Sequence, residues 1–412
     1  MRLIVLLLLP ALLSAQLEVG LSAYYPFELS LGDASGEPTN LGSPEGAVDY
    51  ECGVIGSSIL LTGPDDFVRI PGGASNNVNR VFNDDDFSVS LYFKPLSETG
   101  GEQFLMAKRD TACGSDAPDF FVQYNPGTRQ LTAEIRGASG LRSELVYTLD
   151  NLSCWQHLVI VREDVQFRLY INGVLVSDTD APQRLNIDNP GDLLIGAGAC
   201  PAPGVTSFSG LIDELRVYNR SLLTSEVQQL YLFPDRILTP DQTLFLGQGV
   251  EVQVNSNCGT TFSWTPPDPV ASPDEAEPTI TPVTAGRRKF QVRIQDGLTS
   301  CIASDTLILQ VIDPEGLDCG TVFLPKAFTP NGIGPVQNET FGIANPFAVG
   351  ELVSFEIYDR YGEQVFRTDD QFGRWDGTFR GQAVNAGVML WRVVYRCEEE
   401  EIVRSGSVTV LR

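Results

Sequence analysis

Histidine is nearly missing from this chain: His157 is the single one among 412 residues. Multi-histidine metal centres are therefore excluded, and a histidine-dependent triad would have to be built on that one residue. Positive charge is also scarce, with 28 Lys and Arg against 53 Asp and Glu, a net charge of −25. Such a chain repels phosphate backbones, so nucleic acid is excluded as a partner. Beyond the first fifteen residues no stretch is apolar for the roughly 20 residues that a membrane-spanning helix needs. No Gly-x-Ser-x-Gly elbow and no Gly-Lys-Ser/Thr phosphate loop occurs. Gly196-Ala197-Gly198 leads into Cys200-Pro201 rather than into a helix, which excludes a dinucleotide loop. Helical periodicity is almost wanting.

What is present reads as β-structure. Short alternating runs are punctuated throughout by Gly, Pro, Asn and Asp, the pattern of sandwiches and barrels. With 42% hydrophobic residues there is material for real cores. Phe87, Val89, Leu91 and Phe93 alternate with Ser88, Ser90, Tyr92 and Lys94, which predicts a half-buried strand. Phe167, Leu169 and Ile171 form another, and Asn172-Gly173 supplies a type I′ turn into Val174-Leu175-Val176. Leu211 to Tyr218 predicts a strand with Asp213 on the face of Leu211, Leu215 and Val217. A short helix follows, with Thr224 as N-cap and Val227, Leu230 and Tyr231 on one face. Met1-Arg2, an apolar run from Leu3 to Leu13 and a small-residue site at Ala15/Gln16 predict a signal peptide over 1–15. No Cys follows that site, which argues against a lipid anchor. Eight cysteines, none in a Cys-x-x-Cys pair, suit disulfides in an oxidising compartment.

The run from 17 to 233 carries LSAYYPFELSLGDASG, GPDDFVRIPG, DFSVSLYFKP, SCWQHLVIVRE, FRLYINGVLV and FSGLIDELRVYNRSLLTSEVQQLY. In that order they resemble a laminin-G-like, concanavalin-A-like jelly roll. Gln156 departs from the first His of the Trp-His-His run of many members. Residues 234–312 carry TFSWTP, KFQVRIQDG and SDTLILQVI, and resemble Ig-like and polycystic-kidney-disease-type spacer modules. Residues 319–412 carry FLPKAFTPNGIGPVQNETFGI, SFEIYDRYGEQVF and RWDGTFRGQAVNAGVMLWRVVYRC, ending in GSVTVLR. They resemble the gliding-motility-associated C-terminal domain, the type B sorting domain of type IX secretion in Bacteroidota. Ile333 stands where many relatives have Asp after Asn-Gly, which puts a cation site in that loop in doubt. The resemblances together imply an all-β chain of jelly roll, Ig-like sandwich and small C-terminal sandwich. They also imply recognition by the type IX secretion machinery, and a destination that is secreted or on the outer cell surface.

Cysteine pairings follow these units. Cys258 and Cys301 flank Trp264 as in the Cys–Trp–Cys core of Ig sandwiches, and Cys319 and Cys397 bracket the third unit. Four cysteines in the jelly roll allow three connectivities. The expected one joins Cys113 with Cys200, both in glycine-bearing loops, and leaves Cys52 with Cys154. Members of the jelly-roll family often bind a structural calcium. That implies one ion using Asp33, in the loop LGDASGE, and Asp213, a carboxylate costly to bury unbonded. Asn83-Asp84-Asp85-Asp86 reads as a solvated turn. Tyr92, Tyr124 and Tyr170, opposite apolar stripes or beside turns, are candidates for a sugar-stacking platform.

Jelly-roll glycosidases of the laminarinase type need Glu-x-Asp-x-x-Glu on one strand, and no such run occurs. His157, beside Trp155 at a strand start, reads as structural. The expected function is binding or adhesion at the cell surface, with the jelly roll recognising a glycan or a surface protein and no catalysis. Two alternatives stay open: a self-associating structural matrix protein, and a polysaccharide hydrolase.

Overall fold

The computed structural model describes residues 17–412 except 73–76, 84, 98, 111–116, 138–139, 151–153, 300, 314–321, 332–335, 350, 398–399 and 412. The expected signal site at Ala15 and Gln16, Cys113, Cys319 and Ile333 lie outside the described residues.

Alternation builds the jelly roll. Two sheets, each of eight strands among the described residues, pack face to face. The first runs Val174–Asp180, Gln166–Ile171, Gln156–Glu163, Phe87–Pro95, Gly210–Tyr218, Ser57–Leu61 and Val48–Cys52, with Leu21–Tyr25 also pairing to Gly210–Tyr218. The second runs Arg142–Thr148, Gln130–Arg136, Asp119–Asn125, Gln103–Arg109, Leu193–Ile195, Phe67–Ile70 and Ser43–Glu45, with Thr206–Ser207 also pairing to Gln103–Arg109. Phe87, Val89, Leu91, Phe93, Leu158, Ile160, Leu169, Phe120, Val122 and Ile135 fill the space between them. Asn172 and Gly173 take φ of 50° and 78°, the two positive values that a type I′ turn demands.

The strand Phe87–Pro95 is buried on both faces, not one. The helix Thr224–Leu230 covers the outer face of the first sheet, seating Leu222, Val227 and Leu230 on Val159, Val161, Tyr170 and Tyr218. The N-cap is Leu223 rather than Thr224: the Glu226 carboxylate reaches back to accept the Leu223 N–H at 2.8 Å. Asp213 also departs from the simple alternation. A bulge at Asp213–Arg216, with Glu214 at φ 52°, shifts the register. Leu211 thus faces outward with Val54, Tyr92 and Trp155, while Leu215 and Val217 enter the core.

The spacer is a four-stranded sheet, Gln242–Phe245, Ile302–Ile312, Gly286–Gln295 and Thr261–Thr265, around Trp264, Phe290, Val292 and Leu307. The C-terminal unit is a five-stranded sheet, Ala327–Phe328, Glu400–Val410, Gly387–Cys397, Glu351–Tyr358 and Gln364–Thr368. Phe341, Phe355, Trp375 and Tyr395 centre its core. Phe347 joins the two units, meeting Phe245 at 5.4 Å and Phe372 at 5.0 Å between ring centroids.

Candidate functional site

Four cysteines pair across units rather than within them. Cys52 bonds to Cys258, and Cys154 to Cys301. The expected Cys52–Cys154 bond is excluded by sheet order. Cys52 ends an edge strand and Cys154 precedes a strand with three others between. At about 4.8 Å per strand they stand roughly 19 Å apart, far beyond the ~7 Å that a disulfide tolerates between Cα atoms. The expected Cys258–Cys301 bond fails likewise, because the strand Gly286–Gln295 lies between the two strands that these residues precede. Cys200 and Cys397 are also disulfide-bonded; their expected partners, Cys113 and Cys319, fall outside the described residues.

The sugar platform expected from Tyr92, Tyr124 and Tyr170 is not there. All three side chains are buried. Tyr124 points into the jelly-roll core against Phe93. Tyr170 lies under the helix Thr224–Leu230, its hydroxyl 3.2 Å from Thr224 Oγ1. Tyr92 donates to Leu230 O at 2.9 Å and accepts from Leu232 N at 2.6 Å. The outer sheet face that sequence alternation assigns to solvent is occupied by the helix, by the chain leaving it, and by the spacer.

A calcium ion shared by Asp33 and Asp213 does not fit this arrangement. Asp33 Oδ1 accepts from Tyr24 N and Ser35 N, and Oδ2 from Ser35 Oγ and Asn40 Nδ2. Asp213 Oδ2 accepts from Val54 N and Ile55 N, and Oδ1 from Glu214 N. Each carboxylate is already satisfied by donors of its own, and the two share none. Burial, with Glu214 adding to it, pushes Asp213 up to about 8, while the three backbone amides pull the other way. Asp213 thereby organises the turn 53–56, whose carbonyls at Gly53 and Gly56 receive Asn257 Nδ2 of the spacer. Among the described residues no group of three or more His, Cys, Asp or Glu gathers to hold a metal.

That junction is where exposed aromatic and polar groups meet. Lys94 of the jelly roll and Asp296 of the spacer form a buried ion pair at 2.6 Å. Lys94 Nζ also lies 5.0 Å from the Trp155 ring centroid. Beside this contact opens a groove of about 530 Å³, lined by Asn172, Tyr231, Phe233, Arg236, Leu238 and Asp305. Phe233 and Leu238 are 53% and 54% exposed.

Four rings step from the interior to this groove. Tyr92 stacks on His157 at 4.5 Å, His157 on Tyr231 at 6.0 Å, and Tyr231 meets Phe233 at 4.3 Å with a 47° tilt. Phe233 sits at φ 48°, a left-handed conformation that an aromatic residue rarely adopts. Asn255 Nδ2 holds it there by donating to both Leu232 O and Phe233 O. Asp305 is fixed between Ile237 N at 3.0 Å and Arg236 Nη1 at 3.8 Å. Behind the rings His157 is fully buried, its Nε2 2.8 Å from Ser90 Oγ. Burial pushes its imidazole down to about 3, with Arg216 adding to the effect. It packs the site from within and reaches no ligand.

Sequence periodicity places Tyr231 on the helix's apolar face and passes over Phe233. The signal lay in the linker: an aromatic residue just past a helix end and just before Pro234, where the chain crosses from one unit to the next.

Residues 63–228 match the model of the concanavalin A-like lectin/glucanases superfamily, and residues 322–410 that of the type IX secretion signal domain. Among solved structures, domain 4 of AbnA, a GH43 extracellular arabinanase from Geobacillus stearothermophilus, in complex with arabinotriose, is 23% identical. The match covers 51% of this chain and 98% of that one, with a TM-score of 0.40. The CBM40 of Ruminococcus gnavus IT-sialidase, bound to α2,3-sialyllactose, is 17% identical over 40% and 95%, with a TM-score of 0.34. The binding domain of Botulinum neurotoxin DC in complex with SialylT is 9% identical over 95% and 94%, with a TM-score of 0.45. The chain thus carries a concanavalin A-like laminin G domain and a type IX secretion signal domain, and the second marks it for display at the cell surface or release. No helix among the described residues is long and apolar enough to cross a membrane.

Proposed function

We propose that the protein is a glycan-binding protein of the cell exterior, and that it holds its ligand in the groove between jelly roll and spacer. The observation that supports this most is the fixed ring pair of half-buried Tyr231 and exposed Phe233, bordering the groove beside Arg236 and Asp305. Sugar rings present apolar C–H faces and a rim of hydroxyls. A groove with aromatic walls and a few fixed polar groups matches both. Its volume, about 530 Å³, lies within the range of small-ligand sites and suits a short oligosaccharide segment. The open shape favours weak individual contacts that gain strength from several copies on one surface. The groove's carboxylate, Asp305, is tied up by Ile237 N and Arg236. That supports holding a ligand rather than cleaving one.

The test is a glycan array probed with the intact chain and with Phe233→Ala. Saturable binding to a glycan class, weakened about ten-fold or more by Phe233→Ala, is the expected result. A blank array accompanied by concentration-dependent self-association would replace this reading with a structural one. Release of reducing sugar from a bound polysaccharide would replace it with a hydrolase.

A further inference from the structure

Near the other end of the helix from the junction groove, a second and more polar cleft of about 560 Å³ opens around Arg80, Arg184 and Arg220. Two of these guanidinium groups are spoken for. Arg184 is held by Asp86 at 2.9 Å and Asp164 at 3.1 Å. Arg220 grips both oxygens of Glu226 at 2.8 Å each and donates to Val19 O. Arg80 is different: among the described residues its side chain makes no ion pair and no hydrogen bond. Arg80 also lines a neighbouring cavity of about 340 Å³, so this residue stands between two cavities.

Three other groups in the same cleft, the Asn219 amide and the hydroxyls of Ser22 and Ser221, likewise have no partner within the described chain. The cleft therefore offers one uncommitted cation flanked by neutral hydrogen-bonding groups. Its acidic members are largely engaged: Asp86 by Arg184 and the Asp164 N–H, and Asp85 Oδ2 by the Asn83 amide. In a chain of net charge −25, an exposed, unpaired guanidinium bordering an open cleft is a selective feature.

We infer that this cleft binds an anionic saccharide, with Arg80 engaging a carboxylate or sulfate group and Asn219, Ser22 and Ser221 hydrogen-bonding the neighbouring ring hydroxyls. A guanidinium suits either anion, because its fork of N–H groups matches two oxygens at once. The inference is independent of the groove at Phe233.

The experiment is titration calorimetry of the intact chain with three oligosaccharides of equal length: an oligogalacturonate, a sulfated galactan fragment and a neutral galactan fragment. Tighter binding of at least one anionic arm than of the neutral one is expected, weakening as salt is raised. Which arm binds identifies carboxylate or sulfate as the recognised group. Arg80→Gln should weaken that binding about ten-fold or more, and Arg80→Lys should restore part of it. Phe233→Ala should leave it unchanged, and melting temperatures should stay with the parent because Arg80 is exposed and unpaired. Equal binding of charged and neutral arms, or an Arg80→Gln variant that binds like the parent, overturns the inference.

Discussion

Single side chains divide sharply here between what is reachable and what is not. Tyr92, Tyr124 and Tyr170 are as aromatic as Tyr231 and Phe233, but only the second pair borders open space. His157 shows the same logic for charge. Unfolded, its imidazole protonates near its usual value of about 6.5; folded, burial holds it down to about 3. Its contribution to stability is therefore complete above about pH 6.5 and declines as pH falls toward 3. With one histidine in the chain, its NMR signal needs no assignment. The imidazole is expected to stay neutral, with no titration step between about pH 8 and about pH 4.5. A midpoint near 6.5 would show that the ring is open to water and that the four-ring stack is wrong.

Elements carry the next layer. The strand Phe87–Pro95 was legible in the sequence down to its alternation, and so was the hairpin at Asn172-Gly173. What alternation could not show is that the polar-looking face, Ser88, Ser90, Tyr92 and Lys94, is buried too. Lys94 is tolerated there because Asp296 comes to meet it from another unit. Asp296 is itself held below the usual carboxylate range: burial opposes this, but Lys94 and Thr299 prevail. Removing one partner leaves the other charged and dry. Lys94→Met is expected to cost about 3–5 kcal/mol in urea unfolding, and Lys94→Met with Asp296→Leu to recover much of it. A loss under about 1 kcal/mol for the single change would mean that the pair is solvated and the junction loose.

At the scale of the whole molecule, two disulfides tie the jelly roll to the spacer, closing sequence separations of 206 and 147 residues. In the chain-entropy model each restrains the unfolded chain by about 5 kcal/mol. They also hold the two walls of the groove together, since Tyr231 and Phe233 come from one side and Asp305 from the other. Non-reducing peptide mapping is expected to recover Cys52 linked to Cys258 and Cys154 linked to Cys301. Recovery of a Cys258–Cys301 peptide would separate the units and remove the fixed geometry of the site.

The chain's own order of residues determined the all-β class, the two terminal family resemblances, the export route and the individual strands and turns. Each of those rests on local periodicity, turn chemistry or contiguous motifs. Which cysteines pair, which tyrosines see solvent and where a ligand fits were decided only by tertiary packing: one sheet on the other, the helix and the chain leaving it on the first sheet, and the spacer across that sheet. The cysteine pairs and the polar contacts beside them join residues 147 to 206 positions apart at one surface. A pattern of period two specifies which face a side chain takes, but not what comes to cover that face.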